Sequence, residues 1–177
     1  MQDINYLSPH FQLREFTESA TARRYGIVNK PPAEAVENLK ALCVHTLEPL
    51  REVLSLPIII TSGFRCKALN DKLAHSSERS QHMLGQAADF YVSSAGFRFQ
   101  VSGFKSEPSR RELLIKAFRE ILTNPKIDYD QLILYPNFIH VSYVSKERNR
   151  HNILKARSDG KLGYGKLSYA NALQLNY

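Results

Sequence analysis

Between Pro31-Pro32 and Pro57 the chain sets Val36, Leu39, Leu42, Cys43, Leu47, Leu50, Val53 and Leu54 at spacings of three and four. That period gathers them on one face of an amphipathic helix, and such a face must be buried against another element. The residues that follow supply one. Ile58-Ile59-Ile60-Thr61 is a β-branched run suited to a buried strand, cut off by Ser62-Gly63. Ala87 to Val92 reads as a second strand. Gln131 to Tyr135 and Phe138 to Tyr143 read as a hairpin around Pro136-Asn137. Ser109 with Glu112 is a capping-box pattern that opens a helix running through Leu122. Shorter helices are expected over Thr17 to Arg24 and Ala68 to Ala74, and residues 93–107 read as a loop. Phe11, Leu13 and Phe16 anchor the otherwise irregular start. Without repeats, linkers or low-complexity stretches, the 177 residues form a single domain. The expected class is α+β, with helices packed on a small, mostly antiparallel sheet.

The hairpin assigns faces. If Tyr135 pairs with Phe138, Ile133 lies opposite His140 and Gln131 opposite Ser142. Side chains alternate along a strand, so Gln131, Tyr135, His140 and Ser142 share one face. Asp130, Ile139, Val141 and Tyr143 take the other. A one-residue slip would exchange the two sets.

Hydrophobic content of 43% and charged content of 23% are those of a soluble globular protein. No apolar run approaches the length of a bilayer span. Met1 to Tyr6 lacks a basic n-region and an apolar h-region, so the chain is expected to be made in the cytoplasm, with any outside role requiring assisted release. In that reducing compartment Cys43 and Cys66 are expected to be thiols, Cys43 buried on the helix stripe and Cys66 in a turn beside Arg65. Net charge is +7. From Lys146 to Lys166, seven basic residues face two acids, Glu147 and Asp159. A patch of this kind attracts polyanions, but on charge alone a solvated loop that keeps the protein soluble is the favoured reading. Nucleic acid is a poor partner for it, because no helix-turn-helix, zinc-finger or aromatic-platform motif accompanies it.

Residues 80–89 read Ser80-Gln81-His82-Met83-Leu84-Gly85-Gln86-Ala87-Ala88-Asp89, and His140 follows within Phe138-Ile139-His140-Val141-Ser142. Two imidazoles and a carboxylate are a sufficient protein ligand set for a catalytic zinc ion, with a fourth position left for water. That chemistry points to a hydrolase. The spacing of His82 and Asp89 suits a histidine on a loop and an aspartate on the next strand, with Ala87 and Ala88 leaving room. Taken alone, the pair is a weak signal.

The full string is more specific. Ser80-x-His82-x-x-Gly85-x-Ala87-x-Asp89, preceded by Ser62-Gly63-Phe64-Arg65 and Leu69-Asn70 and followed by His140-Val141-Ser142, resembles the zinc D-Ala-D-Ala carboxypeptidase family. That family belongs to the peptidoglycan metallopeptidases, which include phage L-alanyl-D-glutamate endolysins. Phe11 to Phe16, Asn38-Leu39 and Leu50-Arg51 resemble its shorter members, so the likeness spans roughly residues 8 to 155. It implies a hedgehog/D,D-peptidase-like zinc site in which His82, Asp89 and His140 hold one zinc and a zinc-bound water is the nucleophile. Arg65 matches an arginine that holds a substrate carbonyl or carboxylate and stabilises the oxyanion; an ion pair with Glu78 is the competing role. Ser80 and Gln81 match positions that orient the first imidazole or contact substrate. The implied substrate is a peptidoglycan peptide containing D-amino acids, cut by a D,D-carboxypeptidase or an endopeptidase. The basic stretch 145–177 would favour approach to anionic wall polymer. Lack of a leader would fit a phage lysis enzyme or a cytoplasmic dipeptide hydrolase.

One departure stands out. The family carries an acidic or basic catalytic residue three or five positions before the last histidine, and here those positions hold Asn137 and Tyr135. Tyr135 faces the site and can hydrogen-bond the tetrahedral intermediate, but it is a poor base with an unperturbed pKa of about 10. Asp130 is turned away by the hairpin argument. Either the base comes from elsewhere, with Glu78 as a candidate, or the zinc hydroxide acts with little help, or the chain is a slow or inactive relative. The last option leaves a zinc-containing wall-binding or phage structural module. His75, in the loop before His82, has a minor claim to acid/base work; His45, within the long helix and away from its Leu stripe, has no chemical role, and His10 and His151 read as ordinary surface residues.

Overall fold

In the computed structural model, which describes residues 6–74, 76–94, 108–156 and 164–175, the long helix forms and covers a six-stranded sheet. A short hairpin, β1 (Tyr6–Ser8) and β2 (Phe11–Gln12), leads into α1 (Leu13–Thr17) and α2 (Ala20–Arg24). The single helix expected over Thr17 to Arg24 is thus confined to α2, which Ser19 caps by accepting from Ala22 N at 3.2 Å.

The long helix runs as α3 (Ala33–Leu42) and α4 (Glu48–Leu54), joined by a π-helical turn, Cys43–Leu47. Pro49 explains the turn. It has no N–H, and in a regular α-helix its ring would collide with the carbonyl four residues back, that of His45. The wider turn frees that carbonyl, which accepts the Asp128 N–H at 3.0 Å. Thr46 Oγ1 donates to the Asp128 carbonyl at 2.6 Å. The helix is thereby tied to the segment entering the hairpin. The same turn rotates the downstream face: Leu50 and Leu54 are buried, but Val53, expected on the buried side, is 41% exposed.

The remaining elements are β3 (Ile58–Ser62), α5 (Lys67–Lys72), β4 (Ala87–Val92), α6 (Arg110–Thr123), β5 (Gln131–Leu134), β6 (Ile139–Ser142), β7 (Asn152–Ala156), β8 (Tyr164–Lys166) and α7 (Tyr169–Leu173). The sheet order is β3-β4-β6-β5-β7-β8. Every neighbouring pair is antiparallel except β5 with β7. The capping box at Ser109 and Glu112 forms as expected. So does the hairpin register, with Ile133 opposite His140 and Gln131 opposite Ser142.

Alternation sorts the sheet into two faces. Ala88, Phe90, Leu132, Leu134, Ile139 and Val141 join the core under α3, α4 and α6, together with Leu39, Leu42, Cys43, Leu47, Leu114 and Phe118. Asp89, Ile133 and His140 form a row on the opposite face, since Asp89 pairs with His140 and His140 with Ile133. The basic C-terminal stretch contains β7, β8 and α7, which its composition did not foretell. His75, residues 95–107, Arg157 and Lys161 lie outside the described residues. No helix among the described residues is long and apolar enough to cross a membrane.

Gly85 ends the 3-10 turn Gln81–Leu84 with φ of 70°, and a Cβ there would lie 2.2 Å from the Ala35 carbonyl oxygen. Asn38 Nδ2 donates to the Leu84 carbonyl at 2.8 Å, so the turn is clamped on α3. Gly85→Ala combines left-handed strain with a backbone collision and should lower stability by about 2–4 kcal/mol. Calorimetry reads this as a fall in Tm; an unchanged Tm would show that the turn does not seat on α3 in this way.

Candidate metal centre

Asp89 and His140 reach the site by strand pairing, and His82 arrives from the turn before β4. The turn needs a close approach on its other side. A Cβ on Gly63 would sit 2.5 Å from Phe16 Cβ, so only glycine lets this backbone pass. The Gly63 carbonyl oxygen lies 2.7 Å from His82 Nδ1. It fixes Nδ1 as the protonated nitrogen and leaves the Nε2 lone pair facing inward. A bulge in β3, between Ile60 and Ser62, turns the chain from the sheet toward Gly63 and Arg65.

The inward atoms converge. His140 Nδ1 is 2.8 Å from Asp89 Oδ1, His82 Nε2 is 3.3 Å from the same oxygen, and the two nitrogens are 3.2 Å apart. All three residues are buried. Burial holds the His82 pKa below the usual imidazole range, which favours the neutral form that ligates a metal. Burial works against the Asp89 carboxylate, but His82 and the hydrogen bonds with both imidazoles outweigh it, and Asp89 stays below the ordinary carboxylate range. Two imidazole nitrogens and one carboxylate oxygen, with each residue offering a ligand atom within 4.8 Å of the others, could hold a metal ion. The donor set and the carbonyl behind His82 suit zinc.

Arg65 donates from Nη2 to Asp89 Oδ2 at 2.8 Å and from Nε to Ser62 Oγ at 3.0 Å. Its ion pair is therefore with Asp89 and not with Glu78. Glu78 is exposed and lies outside the lining of the cleft that holds the site, whose volume is about 1070 Å³. Tyr135 and Ser80 line this cleft. The Tyr135 ring stacks on Phe138 with centroids 4.1 Å apart. Gln81 also lines it, but its amide is engaged: Nε2 donates to Asp130 Oδ2 at 2.9 Å, and Oε1 accepts from Arg150 Nη2 at 3.3 Å. His45 stacks on Tyr143, His10 pairs with Glu48, and His151 pairs with Asp128, all away from the triplet.

Asp130 corrects the face assignment. It lines the cleft, whereas strict alternation turned it away. Asp130 sits one residue before β5 begins, where the backbone bends, so the alternation of the strand does not extend to it. Its carboxylate accepts from Arg150 Nε at 2.8 Å, from the Arg150 N–H at 2.9 Å and from Ser142 Oγ at 3.3 Å. Burial would raise its pKa, but the bonds from Arg150 and Gln81 lower it to about 2. Arg150 was grouped with the surface basic patch, and its role here was missed. The available signal was the need of an acid at a strand entrance for a charged partner.

The family model described as Peptidase M15 matches residues 9–142, a span that contains Arg65, His82, Asp89 and His140. No curated protein matches the sequence.

A carboxylate with a depressed folded pKa stabilises the fold above its unfolded value, and that stability is lost as pH falls through the folded value. For Asp130 the window runs from 3.8 down to about 2. Asp130→Asn should cost about 1–3 kcal/mol at neutral pH. The Tm gap to wild type should narrow across that acid window. A gap that stays constant with pH would mean that the Arg150 pair contributes nothing.

Proposed function

The chain belongs to the peptidase M15 family, and from that premise we propose that it is a zinc-dependent hydrolase of peptidoglycan peptides containing D-amino acids. It acts as a D,D-carboxypeptidase or as an endopeptidase, within one domain spanning residues 1–177. The convergence of His82 Nε2, Asp89 Oδ1 and His140 Nδ1 supports this reading most strongly. These residues would hold one zinc per chain. When bound, the ion supplies an activated water and a Lewis acid for the scissile carbonyl.

The protein's own groups do the rest. The Gly63 carbonyl orients His82, and Arg65 orients Asp89. Arg65 Nη1 makes no hydrogen bond among the described residues and is available to the oxygen on which negative charge develops. Tyr135 and Ser80 line the cleft, and their proposed roles are a hydrogen bond to the oxygen on which charge develops and a substrate contact beside the first histidine. Gln81, proposed as a substrate contact, presents an amide already oriented by Asp130 and Arg150. The basic stretch 145–177 favours approach to anionic wall polymer.

A second reading has one observation behind it. The acids lining the cleft among the described residues are Asp89 and Asp130, the first in the triplet and the second bound to Arg150. Neither is placed as a general base. A zinc-holding wall-binding module with weak catalysis would have this composition.

Purified wall sacculi separate the readings. The peptidase releases peptides, chelator abolishes release, and added zinc restores it. Arg65→Ala should keep its metal and lose about 10²- to 10³-fold in turnover. Release that survives chelation overturns the reading, and binding to sacculi without release establishes the module.

A further inference from the structure

One oxygen joins the two segments that carry the imidazoles. Asp130 Oδ2 accepts from Gln81 Nε2 at 2.9 Å and from Ser142 Oγ at 3.3 Å. Gln81 is the residue before His82, and Ser142 lies two residues after His140 on the same face of β6. The backbone repeats the tie: Asp130 N donates to the Ser142 carbonyl at 2.7 Å, and Gln131 N donates to Ser142 Oγ at 3.0 Å. Asp130 and Ser142 are wholly buried. A buried carboxylate keeps such partners only while its charge is balanced. Arg150 balances it, with Nε and the backbone N–H on Oδ1 and Nη2 on Oδ2. Arg150 Nη2 also donates to Gln81 Oε1 at 3.3 Å, so both ends of the Gln81 amide are held.

The balancing charge comes from outside the core. Arg150 is half-exposed, in the segment 143–151 that joins β6 to β7, beyond the residues matched by the family model. That segment is braced: Val144 N donates to Asn149 Oδ1 at 2.9 Å, and His151 Nε2 lies 2.9 Å from Asp128 Oδ1.

The donor spacing gives the tie a purpose. Two donors about 2.0–2.1 Å from a tetrahedral zinc stand about 3.3–3.4 Å apart. His82 Nε2 is 3.2 Å from His140 Nδ1 and 3.3 Å from Asp89 Oδ1. Strand pairing sets Asp89 against His140, but His82 lies outside the sheet and depends on anchors of its own. A brace that only stabilised the fold could attach anywhere on these segments; this one attaches beside both histidines.

We infer that Asp130 and Arg150 are positioning residues for the metal centre, acting through Gln81 and Ser142 to hold His82 Nε2 at its distance from His140 Nδ1. The inference rests on the metal centre of the proposed function and gives the chain after residue 142 a part in it.

Zinc affinity, read by chelator competition, and the visible absorption of the cobalt-substituted protein test it. Gln81→Leu cuts the link and leaves the Asp130–Arg150 pair in place, so it separates positioning from stability. Gln81→Leu and Arg150→Gln should each weaken zinc binding about tenfold and shift the cobalt bands, at a temperature where circular dichroism shows them folded. Arg150→Lys keeps the charge without the fork and should fall between Arg150→Gln and wild type. Zinc affinity and cobalt bands unchanged in Gln81→Leu overturn the inference, whatever Arg150→Gln does to Tm, and leave the pair a structural brace. Should Arg150→Gln fail to fold, Gln81→Leu decides alone. A wild-type protein that takes up no zinc refutes the metal centre itself. Zinc binding that both variants weaken, in a protein that leaves sacculi intact, refutes the peptidase reading alone.

Discussion

The register between β4 and β6 is the constraint on which the site depends. Pairing Asp89 with His140 puts a carboxylate and an imidazole side by side on the sheet face away from the helices. A slip of one residue would send His140 into the core and bring Ile139 or Val141 to the cleft. The core holds the register. Ala88, Phe90, Ile139 and Val141 on the other face are buried against the helices, so slippage would expose apolar side chains on one side and bury charged ones on the other.

Around that pair, the structure removes freedom from each donor. His82 is held by a backbone carbonyl that can approach because residue 63 is glycine, on a turn that seats on α3 because residue 85 is glycine. Asp89 is held on its outer oxygen by Arg65, whose Nε is fixed by Ser62. The Asp130, Gln81 and Arg150 cluster ties the segment after β6 to the residue before His82. A peptidase needs its reacting groups placed before substrate arrives, and buried, partnered side chains supply that placement.

Much of this is written locally in the sequence. The apolar period of 33–54, the Ser109 capping box and the alternation of 131–143 each state their own element. The hairpin turn at Pro136-Asn137 fixed the register that brings Ile133 opposite His140. The motif around His82 carried the family. What escaped was non-local or broke a period. Pro49 converts one turn into a π-turn and shifts the phase, so Val53 is misassigned. Asp130 lies just outside its strand, where alternation no longer applies. Arg150 looks like one basic residue among many until β7 pairs in parallel with β5 and sets it on a buried carboxylate. Strand pairing between distant segments leaves no local period to read.

Metal content decides the central claim. The purified, folded protein should carry about one zinc per chain after equilibration and dialysis, read by plasma emission. His140→Ala, which leaves two donors, should lose it while keeping its helical circular dichroism. A folded wild-type protein that takes up no zinc, or a His140→Ala variant that holds it as tightly, would contradict the account.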